Sequence, residues 1–274
     1  MLSAIEQVPM HDTLDPLEPH SIEQGQTIRW HLGPLTLELT HRPDDWRVVW
    51  WSDKDPTAKV WSCAVHDTST LEPPPDGFHA SRFAATDIDE VQITPMLADR
   101  PVVVRPDEPL WVPPEGKAII YVTTPMWCGV HIGGVQIMEL PTYRPSDTWF
   151  GPNFREGVLC YAGRTAARMR VEALLGLRYR VATEVIIHNR HSDGLTVERL
   201  SLPTDHLAMY RDAGGLWTES VQAEWAGGTE PLPVRIIPGA PPTITDGVKI
   251  GERRLPVTDP LIFRMFSRLR RSGG

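Results

Sequence analysis

Residues 34–52, PLTLELTHRPDDWRVVWWS, carry the rhythm that decides the fold. Leu35, Leu37 and Leu39 alternate with Thr36 and Glu38, the period of two expected of a half-buried strand. Pro43-Asp44-Asp45 is a turn-forming cluster, and WRVVWWS (46–52) supplies a second strand, so the stretch predicts a β-hairpin. Working outward, KVWSCAV (59–65) reads as a third strand. The long loop DTSTLEPPPDGFH (67–79) follows, its Pro73-Pro74-Pro75 run enforcing extended backbone. Strand patterns resume at EVQIT (90–94), PVVVR (101–105), KAIIYVTT (117–124), WCGVHI (127–132) and VQIMEL (135–140). They continue through RVATEVIIHN, GLTVERLSL, HLAMY, LWTESVQ and PVRII. Many short strands separated by turn residues predict an all-β fold of antiparallel β-sandwich architecture, as one sandwich or two sandwich halves.

Composition agrees. Proline numbers 27 of 274 residues, about twice the usual share of roughly 5%, and is spread along the chain, which argues against a helical bundle. With 41% hydrophobic and 23% charged residues, the chain can build a sizeable core. Net charge is −8, which points away from nucleic acid. Cys63, Cys128 and Cys160 are odd in number and far apart, so buried thiols are expected rather than a disulfide framework. The N-terminus has no signal-peptide pattern and no stretch is long enough to span a bilayer, so the expectation is a cytoplasmic protein.

The organisation expected is an acidic leader over 1–24, sandwich halves over 25–142 and 143–240, and a linker with a basic tail over 241–274. Thr165–Arg180 contains residues that favour helix. Yet Ala167, Met169, Val171 and Ala173 alternate with Arg168, Arg170 and Glu172, which predicts a strand with its arginines on one face.

Chemistry-bearing patterns are few. The cluster His188-Asn189-Arg190-His191-Ser192-Asp193 precedes Gly194 and reads as the solvated tip of a hairpin, because Asp-Gly is a strong turn signal. A metal centre would need His188 and His191 to meet a third ligand such as Asp205 or His206, and no HExxH or CxxC spacing supports one. GxSxG, P-loop and GxGxxG patterns are all missing, so no cofactor is expected.

Two segments stand above this background. In TWFGPNFREGVLCYAGRT, Trp149, Phe150, Phe154 and Tyr161 interleave with Arg155 and Arg164, a combination enriched at binding surfaces; a structural corner would use the same aromatics as filling. In DPLIFRMFSRLRRSGG, the candidate partner contacts are Ile262, Phe263, Phe266, Arg264, Arg268, Arg270 and Arg271. Leu261, Met265 and Leu269 share one helical face with Ile262 and Phe266, while Arg264, Arg268 and Arg271 fall on the other side with Arg270 beside them. This pattern predicts a short amphipathic helix that needs a cover: the protein itself, an anionic membrane surface or a partner.

The runs RYRVATEVIIHNRHSDGLTVERLSLPTDHLAMYRDAGGLWTESV, SDTWFGPNFREGVLCYA and GPLTLELTHRPDDWRV resemble an archaeal and bacterial family of unknown function numbered 432, over Gly33 to Ile237. That family has no established activity, so the resemblance transfers no site residues. Its members are sometimes encoded beside or linked with small-conductance mechanosensitive channels, which implies an accessory role at the inner membrane. The expectation is therefore a non-enzymatic protein that binds a protein partner, with the tail making peripheral membrane contact. The alternative is a carbohydrate or small-molecule binder, or a sugar-active enzyme, in which exposed tryptophans stack on ligand and Asp147, Glu156 or Glu219 act as paired carboxylates.

Overall fold

The computed structural model describes residues 14–53, 55, 57–84, 87–151, 157–174, 177–228, 232–257 and 263–265. Two compact units emerge: one comprises residues through Thr94 with Cys128–Thr142, the other Pro95–Trp127 with the residues from Tyr143 onward. The chain opens with β1 (His20–Ser21), β2 (Gln26–Leu32), β3 (Leu35–His41), β4 (Trp46–Ser52), β5 (Trp61–Asp67), β6 (His79–Phe83) and β7 (Glu90–Met96). Next come β8 (Val102–Pro106), β9 (Leu110–Val112) and β10 (Lys117–Pro125), then β11 (Trp127–Ile132) and β12 (Val135–Pro141). The second unit continues with β13 (Ser146–Phe150), β14 (Val158–Thr165), β15 (Arg180–Asn189), β16 (Leu195–Val197) and β17 (Leu200–Leu202). It ends with β18 (Met209–Arg211), β19 (Leu216–Thr218), β20 (Ser220–Trp225), β21 (Leu232–Ile237), β22 (Val248–Gly251) and β23 (Phe263–Met265). The fold is all-β, and its helical content among the described residues is three short 3-10 turns.

The first unit holds a five-stranded sheet, β5-β2-β3-β4-β6, and a four-stranded sheet, β1-β7-β11-β12. The hairpin read from residues 34–52 forms as β3–β4 in antiparallel register, Leu35↔Ser52 to His41↔Trp46. One face of the five-stranded sheet carries a buried apolar set: Ile28, Trp30, Leu32, Leu35, Leu37, Leu39, Trp46 and Val48 are at most 1% exposed. The opposite face is polar, with Thr27 and Thr40 hydroxyls 2.8 Å apart and Arg29 donating to Glu38 at 2.6 Å. Part of the segment expected to be a leader is built into this unit: Ile22 is buried, and Trp30 Nε1 donates to the Pro16 carbonyl. β11 and β12 turn through Gly133-Gly134, whose φ values of 57° and 76° suit a tight hairpin turn that residues with a Cβ adopt poorly.

In the second unit β15 is the central strand, antiparallel to β10 over nine pairs and parallel to β19 and β20. Its burial is two-sided from Val181 to Val185, as a central strand requires. The eight-stranded sheet built around it is accompanied by a four-stranded sheet, β13-β14-β8-β17, and the pair β16-β9.

Three expectations change. The cluster at 188–193 is a corner, not a hairpin tip: β16 pairs with β9 instead of β15, and the Asn189 amide donates to the Val112, Pro113 and Asp193 carbonyls. Residues 166–174 and 177–179 do not form the expected strand. Ala167 takes φ 41°, a left-handed value that breaks the extended run, and one bridge from Arg168 to Tyr121 precedes a 3-10 turn at Val171–Leu174. The C-terminal helix is also replaced where it is described. Phe263–Met265 pair antiparallel with β21, whose edge offers unsatisfied backbone groups to a segment too short for a stable lone helix. Ile262, Phe266, Arg268, Arg270 and Arg271 lie outside the described residues.

Candidate functional site

The aromatic and arginine segment folds as the β13–β14 hairpin of the four-stranded sheet. The register pairs Asp147 with Tyr161 and Trp149 with Leu159 on one face, and Phe150 with Val158 on the other. β14 runs parallel to β8, so Tyr161 lies beside Val102 and Arg164 beside Arg105.

Sequence could not tell which of these aromatics face solvent. Tyr161 is 2% exposed, and its hydroxyl donates to Asp99 Oδ1 at 2.9 Å. Burial first, then the bond to Asp99, pushes its phenol above the usual tyrosine range. The Arg100 and Arg144 guanidiniums stand 5.4 and 5.8 Å from its ring centroid, and Trp127 packs at 5.4 Å. Both arginines reach Asp147, at 3.4 and 3.7 Å, so the charges form a network around a buried ring. Phe150 is core as well, clustered with Val103 and Cys160 under the Arg199 guanidinium. Arg164 is exposed. Phe154, Arg155 and Glu156 lie outside the described residues.

The outward part of the face is Trp149, 39% exposed, with its cross-strand partner Leu159, 44% exposed. A Cβ at Gly157 would lie 2.0 Å from Trp149 Nε1, so the indole passes directly over that glycine. The glycine leaves room for the ring, and the ring's position is set by the hairpin rather than by solvent. Asp147, two residues before Trp149 on the same face, carries Arg100 and Arg144 from the network around Tyr161. Sequence reasoning selected Trp149 and Tyr161 but missed Leu159, Asp99, Arg100 and Arg144. The alternation Asp147-Thr148-Trp149 against Leu159-Cys160-Tyr161 is the signal that would have placed Leu159.

Other chemistry finds no assembly among the described residues. No group of three or more His, Cys, Asp and Glu side chains is arranged to hold a metal. His191 instead packs against Trp225, at 5.0 Å, and His206 Nδ1 bonds the Pro256 carbonyl. Asp147 lies on β13 of the four-stranded sheet, whereas Glu219, between β19 and β20, is buried in an ion pair with Arg253. Burial pushes the Cys63 thiol up to about 12 and Cys160 up to about 11, and raises Cys128 further, so none is a ready nucleophile. A shallow depression over β20–β21, lined by Gln222, Glu224, Pro233, Val234 and Arg235, has a volume of about 120 Å³. That is below the roughly 300 Å³ at which small-molecule pockets begin. No helix among the described residues is long and apolar enough to cross a membrane.

A family model described as Protein of unknown function (DUF432) matches residues 17–261, most of the chain. Comparison with curated proteins and with solved structures gave no match.

Proposed function

The chain belongs to the DUF432 family, and we propose that it is a non-enzymatic binding protein that holds a protein partner on the outer part of the β13–β14 face. The observation that carries this reading is the exposed cross-strand pair Trp149–Leu159. Tryptophan anchors beside arginines are the side chains that most often dominate binding energy at protein interfaces. The Gly157 contact limits the rotamers open to Trp149, so less conformational entropy is lost on association. The Arg100–Asp147–Arg144 network supplies a polar rim whose members already hold one another in place. The finer reading, drawn from the family resemblance, is that the partner is the cytoplasmic part of a mechanosensitive channel, with this chain as its accessory subunit at the inner membrane.

The test is affinity purification of the full chain at native expression, with Leu159→Glu and Trp149→Ala in parallel. A protein retained by wild type and depleted at least about tenfold by both variants is the expected result, because a charge or a cavity at a central anchor removes more than about 1.4 kcal/mol. A partner retained equally by all three chains would refute the surface. If the retained protein is not a channel, the accessory reading falls and the surface stands.

A further inference from the structure

The 3-10 turn Thr204–His206 joins three stretches of the second unit that are distant in sequence. Thr204 Oγ1 donates to the Arg100 carbonyl at 2.7 Å. Leu255 N donates to the Asp205 carbonyl at 2.9 Å, and His206 Nδ1 bonds the Pro256 carbonyl at 3.2 Å. The Arg254 guanidinium adds two bonds to the Leu97 carbonyl, at 2.8 and 2.6 Å. Residues 254–256 are therefore seated on two supports, the turn and the 97–100 loop, and Arg253 before them is held by Glu219.

At this seam lies Asp205, 7% exposed. Its Oδ1 is buried with no hydrogen-bond partner among the described residues, and its Oδ2 is 3.9 Å from His206 Nε2. The ionisable groups that act on it come from every side: His206 on its own turn, Asp99 on the 97–100 loop, Arg254 on the seated segment and the Cys160 thiol on β14. A carboxylate with an orphan buried oxygen carries an unpaid desolvation penalty that the neutral acid largely avoids. Ionisation also sets a second negative charge against Asp99.

We propose that Asp205 is a proton-operated latch, holding residues 254–256 in their seat when protonated and loosening them when ionised. Burial raises its carboxyl above the ordinary aspartate range; His206 and Arg254 oppose that shift and Asp99 adds to it. For an acid raised in the folded state, the stabilisation is complete below the ordinary value of 3.8 and is lost as pH rises through the folded value. The latch thus tightens in acid. The seated segment precedes in sequence the strand Phe263–Met265, which pairs with β21.

Hydrogen exchange on the full chain tests this, read as protection of the backbone amides of residues 253–257 from about pH 4 to about pH 8 after correction for intrinsic exchange. Wild type should lose at least about threefold in protection as pH rises. Asp205→Asn, neutral throughout, should give a flat profile and exceed wild type at the upper end. Asp99→Asn, which removes the facing like charge, lowers the folded value of Asp205, so the fall should move to lower pH.

 An Asp205→Asn profile that follows wild type, or a wild-type profile independent of pH, would overturn the latch. If Asp205→Asn fails to fold, Asp99→Asn decides: an unmoved fall overturns the proposal.

Discussion

Replacing Arg253 with Met probes how the second unit is closed. Glu219 is 2% exposed, and its carboxylate accepts four hydrogen bonds: from Ala208 N at 3.0 Å, Gly239 N at 3.4 Å, and Arg253 Nε and a terminal guanidinium nitrogen at 2.9 and 2.5 Å. Removing one partner of a buried ion pair costs about 3–5 kcal/mol, because the remaining charge stays desolvated. Here two backbone donors remain, and the Arg253 side chain is 29% exposed, so water can replace part of what it supplied. The expected loss is therefore about 2–3 kcal/mol. Urea unfolding measures it. With a slope of about 2–3 kcal/mol/M, the midpoint should fall by about 1 M in the transition that belongs to the second unit, while a separate first-unit transition stays in place. Repeating the substitution in a Glu219→Gln background should shrink the loss by more than about 1 kcal/mol, since no buried charge is then abandoned. A midpoint shift under about 0.2 M, or an equal loss in both backgrounds, would refute the reasoning.

The other expectations are smaller in scope. Gly133→Ala should destabilise the first unit by about 1–3 kcal/mol in urea unfolding, because φ is 57° and the new Cβ would lie 2.7 Å from Ile88 Cγ2. Gly134→Ala, at φ 76° with open space around it, should show only the backbone part of that loss. Thiol labelling of the native chain at about pH 8 should be slow at Cys63, Cys128 and Cys160 and become fast for all three in denaturant; fast native labelling would contradict their burial. Burial pushes the Asp45 carboxyl up, but Arg82 and Arg42 hold it below the ordinary aspartate range. Its stabilisation is therefore present above that range and lost as pH falls through the depressed value. Asp45→Asn should flatten the acid limb of a melting-temperature profile, and an unchanged limb would dismiss this role.

The strands were largely legible in the sequence, and their partners were not. Period-two alternation located β3, and short strand-favouring runs between turn residues located β4, β7, β8, β10 and β15, because both are local properties of the chain. Pairing is a long-range property. Nothing in PVVVR announces that β8 will lie parallel to β14, and nothing in GLTVERLSL shows that it divides between two sheets as β16 and β17. At 165–180 the alternation misled, since one left-handed residue, Ala167, was enough to end the extended run. The His188–Asp193 cluster was placed in a turn, yet its role came from outside the cluster: the Asn189 amide is committed to the carbonyls of Val112 and Pro113 on the neighbouring ribbon.

The candidate surface shows the same boundary at the level of single side chains. Register puts Trp149 and Tyr161 on one face of one hairpin, so any pattern-based reading must treat them alike. Their exposures are 39% and 2%. The difference arises because β8 pairs with β14 only from Tyr161 to Thr165, and Trp127, Arg100 and Arg144 surround the Tyr161 ring. Leu159 lies beyond that pairing, and Trp149 lies on β13, at the end of the sheet order. Alternation fixes which face a side chain joins; position in the sheet decides whether that face is covered. That physical asymmetry, rather than the count of aromatics and arginines in the segment, is what singles out Trp149 and Leu159 as the place to test for a partner.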